Sequence, residues 1–161
     1  AVCEGARVVG LDLMPRRLEL SRELGAEMSL DPRSDDIART LADLTEGRGA
    51  DLAIVATADP QAVAKAQEIV RRGARVVLFA QTVPGEVIPV DASRICMEEK
   101  RLIGSYSSSV ELQDKAADLI FTRKVRVAPL VSHRFALDRL PDAIQLASHP
   151  SEDSMKVIIQ P

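Results

Sequence analysis

Aromatic side chains are almost missing. Three Phe, one Tyr and no Trp make up 2% of 161 residues. A surface that stacks the bases of single-stranded nucleic acid needs more than that, and the core has to be built from Val, Ile, Leu and Ala. Basic charge is not in surplus either. The 21 Lys and Arg face 24 Asp and Glu, a formal net charge of −3, and no basic stripe is present, which speaks against a nucleic-acid partner. No apolar run approaches the roughly 18 residues of a membrane span, so no membrane partner is expected. Ala1-Val2-Cys3-Glu4 is neither basic nor followed by a long apolar stretch, so no secretory leader is expected. Cysteine is scarce: Cys3 and Cys96 are far apart and form no Cys-x-x-Cys pair. Two buried thiols in a reducing, cytoplasmic setting are the expectation.

What is present is an ordinary globular balance, 46% hydrophobic and 28% charged residues. The length fits one domain, or one domain with an appendage. Strand-like and helix-like segments alternate. Arg7–Asp12 reads as a strand. Pro15–Leu24 reads as a helix with Pro in its first turn, Leu18, Leu20 and Leu24 as the apolar stripe, and Gly25 as its end. Met28–Leu30 is a short strand, Ile37–Thr45 a helix, Asp51–Ala56 a buried strand and Pro60–Val70 a helix stopping near Gly73. Arg75–Phe79 carries the continuous apolar run of a parallel strand covered on both faces. Asp91–Glu98 is a short helix, Leu102–Gly104 a strand and Val110–Phe121 a helix.

Repeated β-α-β units with short links predict an α/β fold, a doubly wound parallel sheet with right-handed crossovers. About five strands are expected. The tail differs: Leu130–Ala136, Leu140–Ala147 and Lys156–Gln160 read as a β-α-β appendage with few apolar residues of its own. The expected division is 1–128 and 129–161, the second part packing on something else.

Asp12 closes the first strand, and a helix follows at once. In doubly wound folds an acid at the end of the second strand accepts hydrogen bonds from a ribose hydroxyl, and the glycine-rich first turn lies roughly 20 residues upstream. That upstream unit is not in this sequence. Ala1–Gly5 also reads as the last turn of a helix with a left-handed cap. The reading is a Rossmann-like fold lacking its first strand, that is, a fragment.

The residues that carry a family resemblance are spread along the chain. They are Val8-Val9-Gly10-Leu11-Asp12, Arg17 through Ala26, Gly49 through Thr57, Arg72 through Phe79, Lys100 through Tyr106, and Ser154-Met155-Lys156-Val157-Ile158. In this order and spacing the chain resembles the C-terminal, NAD-binding half of the zinc-dependent medium-chain dehydrogenases, the group of alcohol, sorbitol and threonine dehydrogenases. The resemblance implies oxidation of an alcohol to a carbonyl with hydride passed to NAD, NADP being the less favoured cofactor. It also implies zinc in the parent enzyme as a Lewis acid on the substrate oxygen. The zinc ligands and the substrate pocket are expected outside this chain, which alone should be inactive and offers no catalytic residue of its own.

Asp12 is then the residue that accepts both hydroxyls of the adenine ribose, its charge repelling a 2′-phosphate; the alternative is a plain helix-capping Asp. Leu13 would cover the adenine and Arg17 would sit near the ribose edge. Arg16 and Arg17 are equally readable as solvated helix residues. Ala56 and Thr57 follow a strand, where ligands bind beyond carboxyl ends; Ala58 departs from the Gly often found in the family. By resemblance the backbones of Phe79, Ala80, Gln81, Ser105 and Ser107 line the nicotinamide, although a plain loop reading of residues 106–109 fits composition as well. Lys156 matches a basic residue on the cofactor pyrophosphate, or is an exposed strand lysine. His133 and His149 have no second metal ligand at usable spacing and read as structural. The resemblance also implies a homo-oligomer through Val87–Val90, apolar residues beside a sheet edge, with Pro89 limiting which side pairs.

Two other functions share these features. S-adenosylmethionine-dependent methyltransferases also place an acid after their second strand, and a non-catalytic dinucleotide-binding module needs nothing more than the cofactor contacts.

Overall fold

The structure, a computed structural model, describes residues 1–80, 82–107 and 109–161. After a short 3-10 turn at Val2–Glu4, capped by Gly5 in the left-handed region, the elements in chain order are β1 (Val9–Leu11), α1 (Pro15–Glu23), β2 (Met28–Leu30) and α2 (Ile37–Thr45). Next come β3 (Ala50–Val55), α3 (Pro60–Ile69), β4 (Val70–Leu78), α4 (Ala92–Met97) and β5 (Arg101–Gly104). The chain closes with α5 (Gln113–Phe121), β6 (Val131–Ala136), α6 (Leu140–Ser148) and β7 (Lys156–Gln160). The expected alternation is therefore present throughout, and every strand pairing is parallel.

The single five-stranded sheet is not formed among the described residues. The five strands divide into β1-β2 and β3-β4-β5, with β6-β7 a separate pair. Among the described residues β1 pairs with β2 alone and β3 with β4 alone.

Two compact units result. One comprises Ala1–Asp35 with Val110–Pro161, the other Asp36–Ser109. In the first, α1 packs on β1 and β2 and buries Leu18 and Leu20. Pro15 suits the first helical turn because its missing N–H is unpaired there anyway. Leu24 and Gly25 end the helix, Gly25 at φ 100°. Later in the same unit, α6 packs on β6 and β7 and buries Ala143.

In the second unit α3 lies on one face of the sheet. Val55, Val63, Ala66, Val70, Ala74 and Val76 form the core, with Ala53, Leu78 and Leu102 packed against it. Asp59 and Asp36 cap α3 and α2, their carboxylates accepting from Gln61 N and Arg39 N. β4 starts at Val70, five residues earlier than the apolar run indicates. Ala50 pairs with Val70 and Leu52 already with Arg75, so β4 carries extra residues across a bulge where Gly73 has φ 70°.

Two expectations about burial fail. β3 is not a buried strand: Leu52 and Ile54 are 48% and 56% exposed. The two sheet faces alternate along the strand. α3 covers the face of Ala53 and Val55, whereas Ile54, Val77 and Ile103 form a cross-strand row on the other. Nor are the thiols buried. Cys3 and Cys96 are both free and exposed, because the turn at Val2–Glu4 and the short α4 bury no residue.

One ionic contact sits deep in the second unit. The Lys100 side chain is 1% exposed; its Nζ lies 2.5 Å from Glu98 Oε2 and donates to Gln67 O at 2.6 Å. Arg94 Nε donates to Glu98 Oε1 at 3.0 Å. Hydrogen bonds from Lys100 and Arg94 hold the Glu98 carboxyl below the ordinary glutamate range.

Two experiments check this packing. Gly49 has φ 88°, and a Cβ there would meet Ile69 O at 2.9 Å and Arg71 N at 3.1 Å, whereas a Cβ at Gly47 (φ 79°) meets nothing. Gly47→Ala should cost about 1–2 kcal/mol for the left-handed backbone, and Gly49→Ala roughly a further 1–3 kcal/mol for the backbone clash. Urea unfolding reads the difference, and equal losses contradict the packing. The second concerns acid. Because the folded Glu98 pKa is lowered, its contribution is fully present above the ordinary value of 4.5 and is lost as pH falls through the lowered one. Glu98→Gln should be less stable than wild type at neutral pH, with the gap closing as pH drops below 4.5. A gap that does not change with pH contradicts the ion pair.

Candidate functional site

In the first unit β1 delivers Asp12 to its carboxyl end. The Asp12 amide donates to Leu30 O at 3.4 Å, so the residue continues the β1-β2 ladder. Its Oδ1 accepts from Met14 N at 3.0 Å, which fixes the carboxylate at the start of α1. This bond closes a local turn ahead of α1, whose N-cap is Met14 with no side-chain cap, so Asp12 does not cap the helix, and the turn occupies one oxygen only. Oδ2 faces Arg17 Nη1 at 3.7 Å, and the Asp12 side chain is 33% exposed. A half-exposed carboxylate with open acceptor sites on a fixed backbone is suited to neutral hydroxyl donors.

Arg17 is partly exposed, yet its side chain makes contacts beyond α1. Its Nη2 donates to Ser154 O at 3.3 Å, and its Nε is buried with no partner. Arg16, by contrast, makes exposed pairs with Glu19 and Glu23. Leu13 is 47% exposed, and its carbonyl accepts from Arg33 Nη2 at 2.7 Å. Arg33 also grips Asp31 with Nε and Nη2 at 2.6–3.1 Å, which holds the Asp31 carboxyl below its usual range.

Lys156 is the first residue of β7 and is exposed. Its carbonyl accepts from Ser132 Oγ at 3.2 Å, and Ser132 Oγ also accepts from Met155 N at 2.8 Å. Ser154 is buried, its amide and hydroxyl both bonded to Ser151 O. The first unit thus gathers Asp12, Arg17 and the turn that leads into Lys156. Sequence reasoning missed Arg33, Ser132 and Ser154, each of which also bonds a residue 20 or more positions away in sequence. Only the Asp-Pro-Arg after β2 offered a local signal. His133 stacks on Phe135 at 6.4 Å between centroids, and its Nδ1 lies 3.0 Å from Ser132 Oγ, a structural role.

In the second unit the remaining candidates share one edge. Val55, Leu78 and Gly104 are in register across β3-β4-β5, so Ala56, Phe79 and Ser105 leave the sheet side by side at its carboxyl ends. Phe79 N and Ala80 N both donate to Val55 O, and Ser105 N to Leu78 O at 3.0 Å. Ala56 and Thr57 are exposed, and Thr57 Oγ1 accepts from Asp59 N at 3.3 Å. Ser107 has φ 62°. Gln81, and Ser108 of the loop 106–109, lie outside the described residues. Among the described residues no group of three or more His, Cys, Asp or Glu side chains is arranged to hold a metal ion. Among the described residues no helix is long and apolar enough to cross a membrane.

Known proteins resemble this chain along nearly its whole length. A family model described as "Zinc-binding dehydrogenase" matches residues 1–122. L-threonine 3-dehydrogenase of Symbiobacterium thermophilum is 27% identical over 161 residues, covering 98% of this chain and 45% of that protein. Among solved structures, an alcohol dehydrogenase of Thermotoga maritima superimposes with a TM-score of 0.87 at 26% identity, covering 97% of this chain and 43% of that one. A zinc-binding dehydrogenase of Sinorhizobium meliloti 1021 bound to NADP gives 0.86 at 25% identity, covering 97% and 45%. The chain spans less than half the length of these relatives. These Rossmann-like relatives agree with the α/β fold and favour the dehydrogenase resemblance over the methyltransferase alternative.

Proposed function

Because the chain belongs to the zinc-binding dehydrogenase family, we propose that it is the cofactor-binding part of a zinc-type alcohol dehydrogenase. The reaction is oxidation of an alcohol to a carbonyl, with hydride transfer to NAD; the cofactor supplies the hydride chemistry. The observation that carries the reading is Asp12. It stands at the carboxyl end of a parallel strand with its backbone in the ladder, one oxygen held by Met14 N and the other open toward Arg17. Strand carboxyl ends are where open α/β sheets take their ligands.

In this reading Asp12 accepts the adenine-ribose hydroxyls while Leu13 covers the adenine and Arg17 sits at the ribose edge. Lys156 places a cation for the pyrophosphate. In the 36–109 unit, taken by itself, the backbones at Ala56, Thr57, Phe79, Ala80, Ser105 and Ser107 are the proposed contacts of the nicotinamide; Gln81 lies outside the described residues. The relative from Sinorhizobium meliloti was solved with NADP, so the preference for NAD here rests on Asp12, whose negative charge opposes a 2′-phosphate. Arg17 and Arg33, both close to this strand end, work in the other direction. Among the described residues no donor set for zinc is present, and zinc is proposed only for the parent enzyme, on the family resemblance.

Association is part of the proposal. Val87–Val90 lies outside any helix or strand; Ile88 packs toward the core while Val87 and Val90 are 85% and 45% exposed. This segment is the proposed contact of a homo-oligomer. A cytoplasmic location fits two exposed, unpaired thiols.

The test is cofactor selectivity in the full-length enzyme. Asp12→Gly removes the hydroxyl acceptors and the repulsive charge. NAD⁺ binding should weaken by roughly 1.5–3 kcal/mol, and NADP⁺ binding should weaken less or improve. Calorimetric titration of both cofactors against both proteins decides it. An unchanged NAD⁺/NADP⁺ ratio removes Asp12 from the site, and NADH binding without any alcohol turnover leaves a non-catalytic module.

A further inference from the structure

Arg17 sits on α1, yet its guanidinium does not serve α1. Nη1 points at Asp12 Oδ2, 3.7 Å away, and Nη2 donates to Ser154 O at 3.3 Å, a residue 137 positions along the chain. Nε is buried and without a partner. An arginine gains nothing locally by withdrawing a donor from water, since an unmet buried donor is costly. The side chain is therefore held in place by its two outer contacts.

The turn on the far side of that bond is built to transmit position. Ser154 is buried, and both its amide and its hydroxyl are bonded to Ser151 O, at 3.0 and 2.9 Å, which closes residues 151–154 into one turn. Met155 N donates to Ser132 Oγ, and Ser132 Oγ donates to Lys156 O. A continuous series of polar contacts thus runs from the Asp12 carboxylate through Arg17 to the backbone that carries Lys156. The planar guanidinium suits the task, because its rigid fork serves two acceptors in different directions where an ammonium acts as a point charge.

We propose that Arg17 is a positioning residue that ties the turn 151–154 to Asp12, and so fixes the distance between the acid at the cofactor's adenine ribose and the cation at its pyrophosphate. This rests on the reading of Asp12 and Lys156 as cofactor contacts, and goes beyond it in giving the two a shared mechanical link.

Two measurements test the link. The first needs no cofactor. Amide hydrogen exchange on the chain should show Ser154 and Met155 exchanging about tenfold faster in Arg17→Met than in wild type, with β3, β4 and β5 unchanged, as expected of a local opening. The second is a cycle on NADH affinity in the full-length enzyme. If Arg17 sets the position of Lys156, Lys156→Ala should weaken NADH binding about tenfold more in wild type than in the Arg17→Met background, a non-additivity that loss of a merely structural contact does not produce. Should Arg17→Met fail to fold, Arg17→Lys, which keeps the charge and lacks the fork, is measured in its place with the same expectation. Unaltered exchange at Ser154 and Met155, or strictly additive losses, overturns the proposal. Absence of NADH binding by wild type refutes the cofactor reading instead, and the exchange result alone then decides whether Arg17 holds the turn.

Discussion

Val76 has no exposed surface at all. It lies on β4, which is hydrogen-bonded to β3 on one side and β5 on the other, and α3 packs on the face that Val76 shares with Ala74. That contact orients the whole 36–109 unit. Once Val76 is seated, Ala53 and Leu102 are placed opposite it by strand register, and Val55, Leu78 and Gly104 end their strands in line. The edge where a ligand would lie is a consequence of core packing several residues away. Lys100 strengthens the same arrangement by joining Glu98 to the carbonyl of Gln67 on α3. A buried ammonium is tolerated there because it has a carboxylate and a carbonyl as partners.

The other unit holds its candidate residues differently. No large core stands behind Asp12; a three-residue strand, the first turn of α1 and a few long-range polar bonds do. Met14 N and Arg17 fix the carboxylate from one side, and Arg33 ties the following residue's carbonyl to Asp31. Precision here comes from hydrogen bonds to defined acceptors instead of from apolar area.

The parts of this picture legible in the sequence are those that depend on neighbours in sequence. Pro15 with Gly25, and Asp31 with Pro32, bracket their elements through backbone chemistry that acts locally, and the boundaries of α2 and β7 match the expected ones. The start of β4 was not legible, because a bulge at Gly73 is decided by pairing with β3. Nor was the exposure of Leu52 and Ile54. An apolar strand reads the same whether one face is covered or both. The thiols were misjudged for a similar reason: cysteine is on average a buried residue, but Cys3 and Cys96 lie on short elements that bury nothing. The place of Asp12 at the end of β1 was visible from the sequence. Ser132 and Ser154 were not, since their importance arises from residues 23 and 137 positions away.

The central proposal is that Asp12 and Lys156, both in the unit of Ala1–Asp35 with Val110–Pro161, are contacts of one dinucleotide. Backbone NMR during an NADH titration tests it most directly. Saturable shifts at residues 12–17 and 154–156, following one binding curve, are the expected result. No shift at either group, or separate curves for the two, would contradict it.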